Sequence, residues 1–180
     1  MKRFIFITLF IVVFISMVSM RTTFAISIVY EATDLSDTTP GEDVWQYTYW
    51  LSDYTFNTGY GFTIYFDYQL YSNLEDPPPA VNSDWDPIVW QPDSSLPDDG
   101  AYDALALVDN ASLADPFTIS FVWLGSWSPG GQYFEVYDSS FNTVASGQTA
   151  PVPEPATFLL ISTGLLGLAG FKKKFGITRG

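Results

Sequence analysis

Between Ile26 and Ala150 apolar and polar side chains alternate with a period of two, the pattern of strands that bury one face. In Val44 to Leu51, Trp45, Tyr47, Tyr49 and Leu51 share a face. Phe62, Ile64 and Phe66 lie opposite Thr63, Tyr65 and Asp67. Phe117, Ile119, Phe121 and Trp123 alternate with Thr118 and Ser120, while Phe134 and Val136 oppose Tyr133, Glu135 and Tyr137. Further strands are predicted at Ile26 to Ala32, Trp85 to Trp90, Tyr102 to Val108 and Phe141 to Ala145. Turn-forming clusters separate the runs: Thr39-Pro40-Gly41, Asn57-Thr58-Gly59, Asp76 to Pro79, Pro97 to Gly100, and Ser128 to Gly131. Tyr102 to Ser112 also reads as a short helix, because Ala104, Leu105, Ala106 and Leu107 are good helix formers. About seven or eight short strands in roughly 125 residues predict an all-β domain, an antiparallel β-sandwich of immunoglobulin-like or jelly-roll type.

The two ends follow other rules. Lys2 and Arg3 precede an apolar run from Phe4 to Val18, and Thr23-Phe24-Ala25 places small residues where a signal peptidase reads. Residues 1–25 are therefore expected to be a secretory signal peptide cut after Ala25. The apolar run is nearly long enough to stay as an uncleaved anchor instead. Near the other end, Phe158 to Phe171 is apolar and Lys172, Lys173 and Lys174 close it. As a helix it spans about 21 Å, short of a hydrocarbon core of about 30 Å, and the lysines extend its reach by snorkelling. Gly164, Gly167 and Gly170 form a small-residue stripe along it. The expected organisation is a signal peptide at 1–25, a β-sandwich at 26–147 and a linker at 148–157. A transmembrane helix at 158–171 and a basic cytoplasmic tail at 172–180 follow, oriented by the lysines.

Val152-Pro153-Glu154-Pro155, the short Gly- and Leu-rich apolar segment and the lysine cluster resemble, in that order, the PEP-CTERM sorting signal. The resemblance is confined to the tail. It implies a partner, the membrane protease exosortase, which cuts near the motif and releases or transfers the protein. It also implies a Gram-negative bacterium that makes exopolysaccharide, an inner-membrane-anchored precursor, and a mature form at the cell surface or outside. Proteins with this signal accompany exopolysaccharide in biofilms and flocs. Phe175 to Gly180 extend slightly beyond the usual end of the pattern.

Charge separates these segments sharply. All 7 basic residues lie outside 26–150, and all but one of the 20 acidic residues lie inside it. All 11 tyrosines and all 6 tryptophans also lie inside, and the chain has no His and no Cys. Nucleic acid is excluded as a partner, since phosphates need cations. Disulfides, His- or Cys-based nucleophiles and zinc-type sites are excluded by the missing side chains. Carboxylate chemistry remains. A glycosidase needs two carboxylates at a set separation, but so many acids make any chosen pair uninformative. Asp37-Thr38-Thr39, Asp93-Ser94-Ser95 and Asp138-Ser139-Ser140 lack the glycine of an aspartic-protease motif. No enzyme activity and no cofactor are therefore expected. Asp84, Asp86, Asp98 and Asp99 are candidate calcium ligands, with turn formation as the plainer role for Asp in such loops. Trp85, Trp90 and Trp127 are candidates for stacking on sugar rings, with core packing as the alternative. The function expected is that of a secreted surface or matrix protein without catalysis. A carbohydrate-binding module and a calcium-dependent adhesin are the alternatives.

Overall fold

The computed structural model describes residues 26–153. The expected signal peptide, Glu154 and Pro155 of the motif, the segment 158–171 and Lys172 to Lys174 lie outside the described residues. Ten strands run in chain order: β1 (Ser27–Asp34), β2 (Val44–Ser52), β3 (Gly61–Phe66), β4 (Tyr71–Ser72), β5 (Trp85–Trp90), β6 (Gly100–Ala106), β7 (Phe117–Trp123), β8 (Tyr133–Tyr137), β9 (Thr143–Gln148) and β10 (Ala150–Pro151). They form two five-stranded sheets, A in the order β10-β1-β2-β7-β4 and B in the order β5-β6-β3-β8-β9. Every pairing is antiparallel except that of β10 with β1. With β5, β6 and β10 set aside, the strands group as β1-β2-β7-β4 and β3-β8-β9. That is the arrangement of an immunoglobulin constant-type sandwich. The β5–β6 hairpin is an insertion that widens sheet B beyond β3.

Aromatic rings fill the space between the sheets. Tyr47, Tyr49, Phe56, Phe62, Phe66 and Phe117 are fully buried. Phe62 of β3 meets Phe117 of β7 edge to face, with centroids 5.0 Å apart, and Trp85 of β5 meets the same ring at 5.0 Å. Tyr47 of β2 lies 6.3 Å from Phe66 of β3. Such pairs add about 0.5–1.5 kcal/mol each beyond the area they bury.

The structure decides between the two readings of Tyr102 onward in favour of the strand, moves one boundary and adds two short strands. Tyr102 to Ser112 is not helical: β6 is paired on both sides, by β3 and β5, and tertiary pairing outweighs its alanine-rich propensity. The sandwich does not end at 147. Gln148 closes β9, Thr149 is buried, and β10 pairs with β1, ending in a bond of 2.9 Å from the Val152 N–H to the Tyr30 carbonyl. Residues 148–152, expected to be linker, therefore belong to the sheet, and Pro151 is tolerated because β10 is an edge strand. Finally, β4 and β10 are two-residue strands that show no alternation to read.

A chain of hydrogen bonds satisfies the polar tips of Tyr47, Tyr49 and Tyr71, whereas the buried Tyr102 hydroxyl has no partner among the described residues. Gln132 Nε2 donates to Tyr71 Oη at 2.9 Å. Tyr47 Oη spends its proton on the Gly130 carbonyl at 2.6 Å, so it accepts from Tyr71 across their 3.0 Å contact. Tyr49 Oη and Thr149 Oγ1 both donate to Gln132 Oε1 at 3.1 Å, and Gln132 N–H returns a bond of 2.9 Å to Thr149 Oγ1. Burial raises the pKa of Tyr47, Tyr49 and Tyr71, which keeps these phenols as donors. One amide thus serves β2, β4 and the approach to β10. Gln132→Ala leaves the Tyr49 hydroxyl without its acceptor and is expected to cost about 2–4 kcal/mol in urea unfolding, at an unchanged m-value.

Candidate functional site

Core-facing and outward-facing residues alternate across sheet B. The outward set forms a groove of about 600 Å³. Asp86, Ile88 and Trp90 of β5 supply one wall, with Ala101 and Leu105 of β6 beside them. Phe141 and Thr143, at the turn into β9, supply the other. Thr63, Tyr65, Asp103, Glu135 and Tyr137 make the floor.

Strand register sets the floor. Thr63 pairs with Asp103 on one side and Glu135 on the other, so two carboxylates lie in one row across three strands. Each is held by two hydroxyls. Thr63 Oγ1 and Tyr137 Oη donate to Asp103 at 2.7 and 2.9 Å. Tyr65 Oη and Tyr133 Oη donate to Glu135 at 3.1 and 3.0 Å. Asp103 is only 8% exposed. Desolvation raises its pKa, and the two hydroxyl bonds partly oppose that shift. Tyr65 is pushed up to about 12, mainly by desolvation and then by its bond to Glu135.

The rings come in two stacks. Tyr65 and Tyr133 are 5.7 Å apart and inclined at 27°, and Tyr137 and Phe141 are 5.5 Å apart and inclined at 28°. Two local devices seat the second stack. Gly61 lies beneath Tyr137, where a Cβ would collide with the phenol ring and with the Ala104 carbonyl. Asp138 Oδ1 accepts from the N–H groups of Ser140 (2.8 Å) and Asn142 (3.0 Å), folding an Asx turn. Those bonds lower the pKa of Asp138. The turn holds Phe141 at φ +61°, an uncommon conformation for a bulky residue, and leaves the residue 76% exposed.

The three tryptophans proposed from sequence separate. Trp85 points into the core and its Nε1 donates to the Ser112 carbonyl at 2.8 Å, so it is a packing residue. Trp90 stands in the groove wall, 53% exposed. Trp127 is exposed but lies outside the groove, and its carbonyl accepts from Trp123 Nε1. The four calcium candidates do not converge. Trp85 pairs with Ala106 and Trp90 with Ala101, so Asp84 and Asp86 lie at one end of the β5–β6 hairpin and Asp98 and Asp99 beyond the other. At about 3.3 Å per residue the two pairs are roughly 20 Å apart. Asp84 Oδ2 accepts the Ser112 N–H at 3.0 Å and Asp99 Oδ1 the Tyr68 N–H at 3.1 Å, both loop-forming roles. Among the described residues no three acidic side chains come together to hold a metal.

Val152 and Pro153, the first half of the sorting motif, are exposed where the sheet ends. The chain carries a PEP-CTERM protein-sorting motif. The match spans residues 151–174. The motif implies export, a membrane-anchored precursor and processing by exosortase, a membrane protein. Among solved structures, the chain is similar to the second type II cohesin module from the cellulosomal adaptor ScaA scaffoldin of Acetivibrio cellulolyticus, at 13% identity and a TM-score of 0.40. That similarity covers 74% of this chain and 95% of the cohesin module. The two-sheet fold rests on the strand pairing itself. No curated protein matches the chain.

The sign of the Asp103 shift gives a pH prediction. A carboxyl whose folded pKa is raised favours the folded state when protonated, and that contribution is lost as pH rises above the unfolded pKa of about 4. Asp103→Asn is therefore expected to raise the midpoint of thermal unfolding by roughly 4 °C at pH 7 and to leave it unchanged at pH 3. Equal shifts at both pH values would assign the effect to packing.

Proposed function

We propose that this PEP-CTERM protein is an exported, exosortase-processed component of the cell surface or extracellular matrix of a Gram-negative bacterium. Its sandwich is a non-catalytic module that holds extracellular polysaccharide in the groove on sheet B, without a resident cofactor. A signal peptide at 1–25 starts export, and a transmembrane helix at 158–171 with its lysine stop holds the precursor until processing.

The groove carries this reading. Trp90 and Phe141 offer exposed apolar faces to the C–H faces of sugar rings, and the carboxylates between them accept from sugar hydroxyls. Its volume falls within the range of small-ligand sites, roughly 300–1,000 Å³. The placement of the acids favours binding over hydrolysis. Asp103 is more than nine-tenths buried, whereas glycoside cleavage uses two carboxyls presented to either side of the scissile bond.

Affinity electrophoresis in gels carrying the host exopolysaccharide tests the reading. Trp90→Ala and Phe141→Ala are expected to weaken retardation at least about tenfold, while Trp127→Ala behaves as wild type. Retardation that survives both groove variants, or that fails with Trp127→Ala, places binding elsewhere. Mass spectrometry of the mature protein tests the processing: termini are expected near Ile26 and near Glu154. An end upstream of Ala150 would remove β10 and contradict a sandwich that runs to Val152.

A further inference from the structure

We propose that the polysaccharide is cationic, an amino-sugar polymer with free ammonium groups. This rests on the polysaccharide reading and narrows its chemistry.

The groove floor is an array of acceptors. The hydroxyls of Thr63 and Tyr137 spend their protons on Asp103, and those of Tyr65 and Tyr133 spend theirs on Glu135. Each carboxylate has about four lone-pair sites and uses two of them on these donors. A ligand must therefore bring donors. An ammonium brings three and no acceptor, whereas an acetamido or carboxylate substituent brings further acceptors. Charge points the same way. Asp86 adds a third carboxylate to the wall, and no Lys, Arg or His exists between residues 26 and 153 to neutralise any of them. Asp103, more than nine-tenths buried and held only by neutral hydroxyls, lacks the countercharge that a buried carboxylate ordinarily finds. A ligand ammonium would supply it, and charge-assisted bonds are about twice as strong as neutral ones. The faces of Trp90 and Phe141 beside the floor also attract cations. A uronate polymer meets repulsion at each of these points.

The test is calorimetric titration of the full chain, purified in detergent, with four hexasaccharides: glucosamine, N-acetylglucosamine, cellohexaose and galacturonate. The glucosamine hexamer is expected to bind at least about tenfold more tightly than its N-acetylated form, and the galacturonate hexamer not at all. Glu135→Gln should abolish that margin. Substitution of two exposed β1 carboxylates on sheet A, Glu31→Gln with Asp34→Asn, should preserve it. Equal affinity for the amine and acetyl forms overturns the inference and leaves the polysaccharide reading standing. So does a margin eroded equally by the sheet A pair, which would mark diffuse attraction by an acidic protein. No binding to any of the four removes both readings.

Discussion

A domain that has no cation and no thiol between Ile26 and Pro153 must be held together without ion pairs or disulfides. The sandwich is built around that constraint. Its core is aromatic rather than aliphatic, and Phe62 and Trp85 of sheet B meet Phe117 of sheet A edge to face. Aromatic side chains bury more area per residue than aliphatic ones, but tyrosine brings a hydroxyl that must be satisfied. Gln132 resolves the conflict for Tyr49 and Tyr71, while the Tyr102 hydroxyl stays buried without a partner among the described residues. The Gln132 amide is donor and acceptor at once, so a neutral group joins Tyr49, Tyr71 and Thr149 with no charged pair among them. The same scarcity shapes the outer face of sheet B. Asp103 and Glu135 are stabilised by hydroxyls because no ammonium or guanidinium is at hand, and no positive group of the domain neutralises either carboxylate.

The β5–β6 insertion turns a sandwich face into a groove. Without it β3 would be the edge of sheet B, and Thr63 and Tyr65 would border solvent. With it, β3 becomes the central strand and Thr63 gains Asp103 as a cross-strand neighbour. The wall at Trp90 belongs to the insertion and the wall at Phe141 to the β8–β9 turn. Gly61 permits the remaining detail, since only a residue without Cβ lets Tyr137 settle over β3 beside Asp103.

Much of this could be read from the chain, and the omissions have physical causes. Period-two alternation placed the principal strands and assigned Thr63 and Tyr65, and Tyr133, Glu135 and Tyr137, to the face away from the core. It could not show that those faces adjoin, because β3 and β8 are neighbours through long-range pairing that leaves no local mark. Asp103 was hidden by the alanines around it, whose helical propensity competes with a strand that is specified only by partners on both sides. For the tryptophans parity was decisive. Trp85 and Trp90 lie five positions apart on one strand and so face opposite sides. The linker was misplaced because Thr149 to Val152 has linker composition, and only the Gln132 network and the pairing with β1 bring it into the fold.

The position of β10 also separates the sorting motif from the groove. It lies at the edge of sheet A, and the last bond that secures it runs from Val152 to Tyr30, one residue short of the Pro153-Glu154-Pro155 sequence. A cut at the motif therefore spares every sheet contact of the sandwich, while the groove occupies the outer face of the other sheet. The electrostatic consequence is larger. Arg179 and the lysines at 172–174 lie beyond the cut, and loss of both ends leaves acidic side chains alone. Copies of such a module repel one another, which opposes self-association. A cationic polymer is instead drawn toward the surface from a distance set by the ionic strength. Processing at both ends, as proposed, would remove the positive charges that compete with a ligand's ammonium groups for the carboxylates on sheet B.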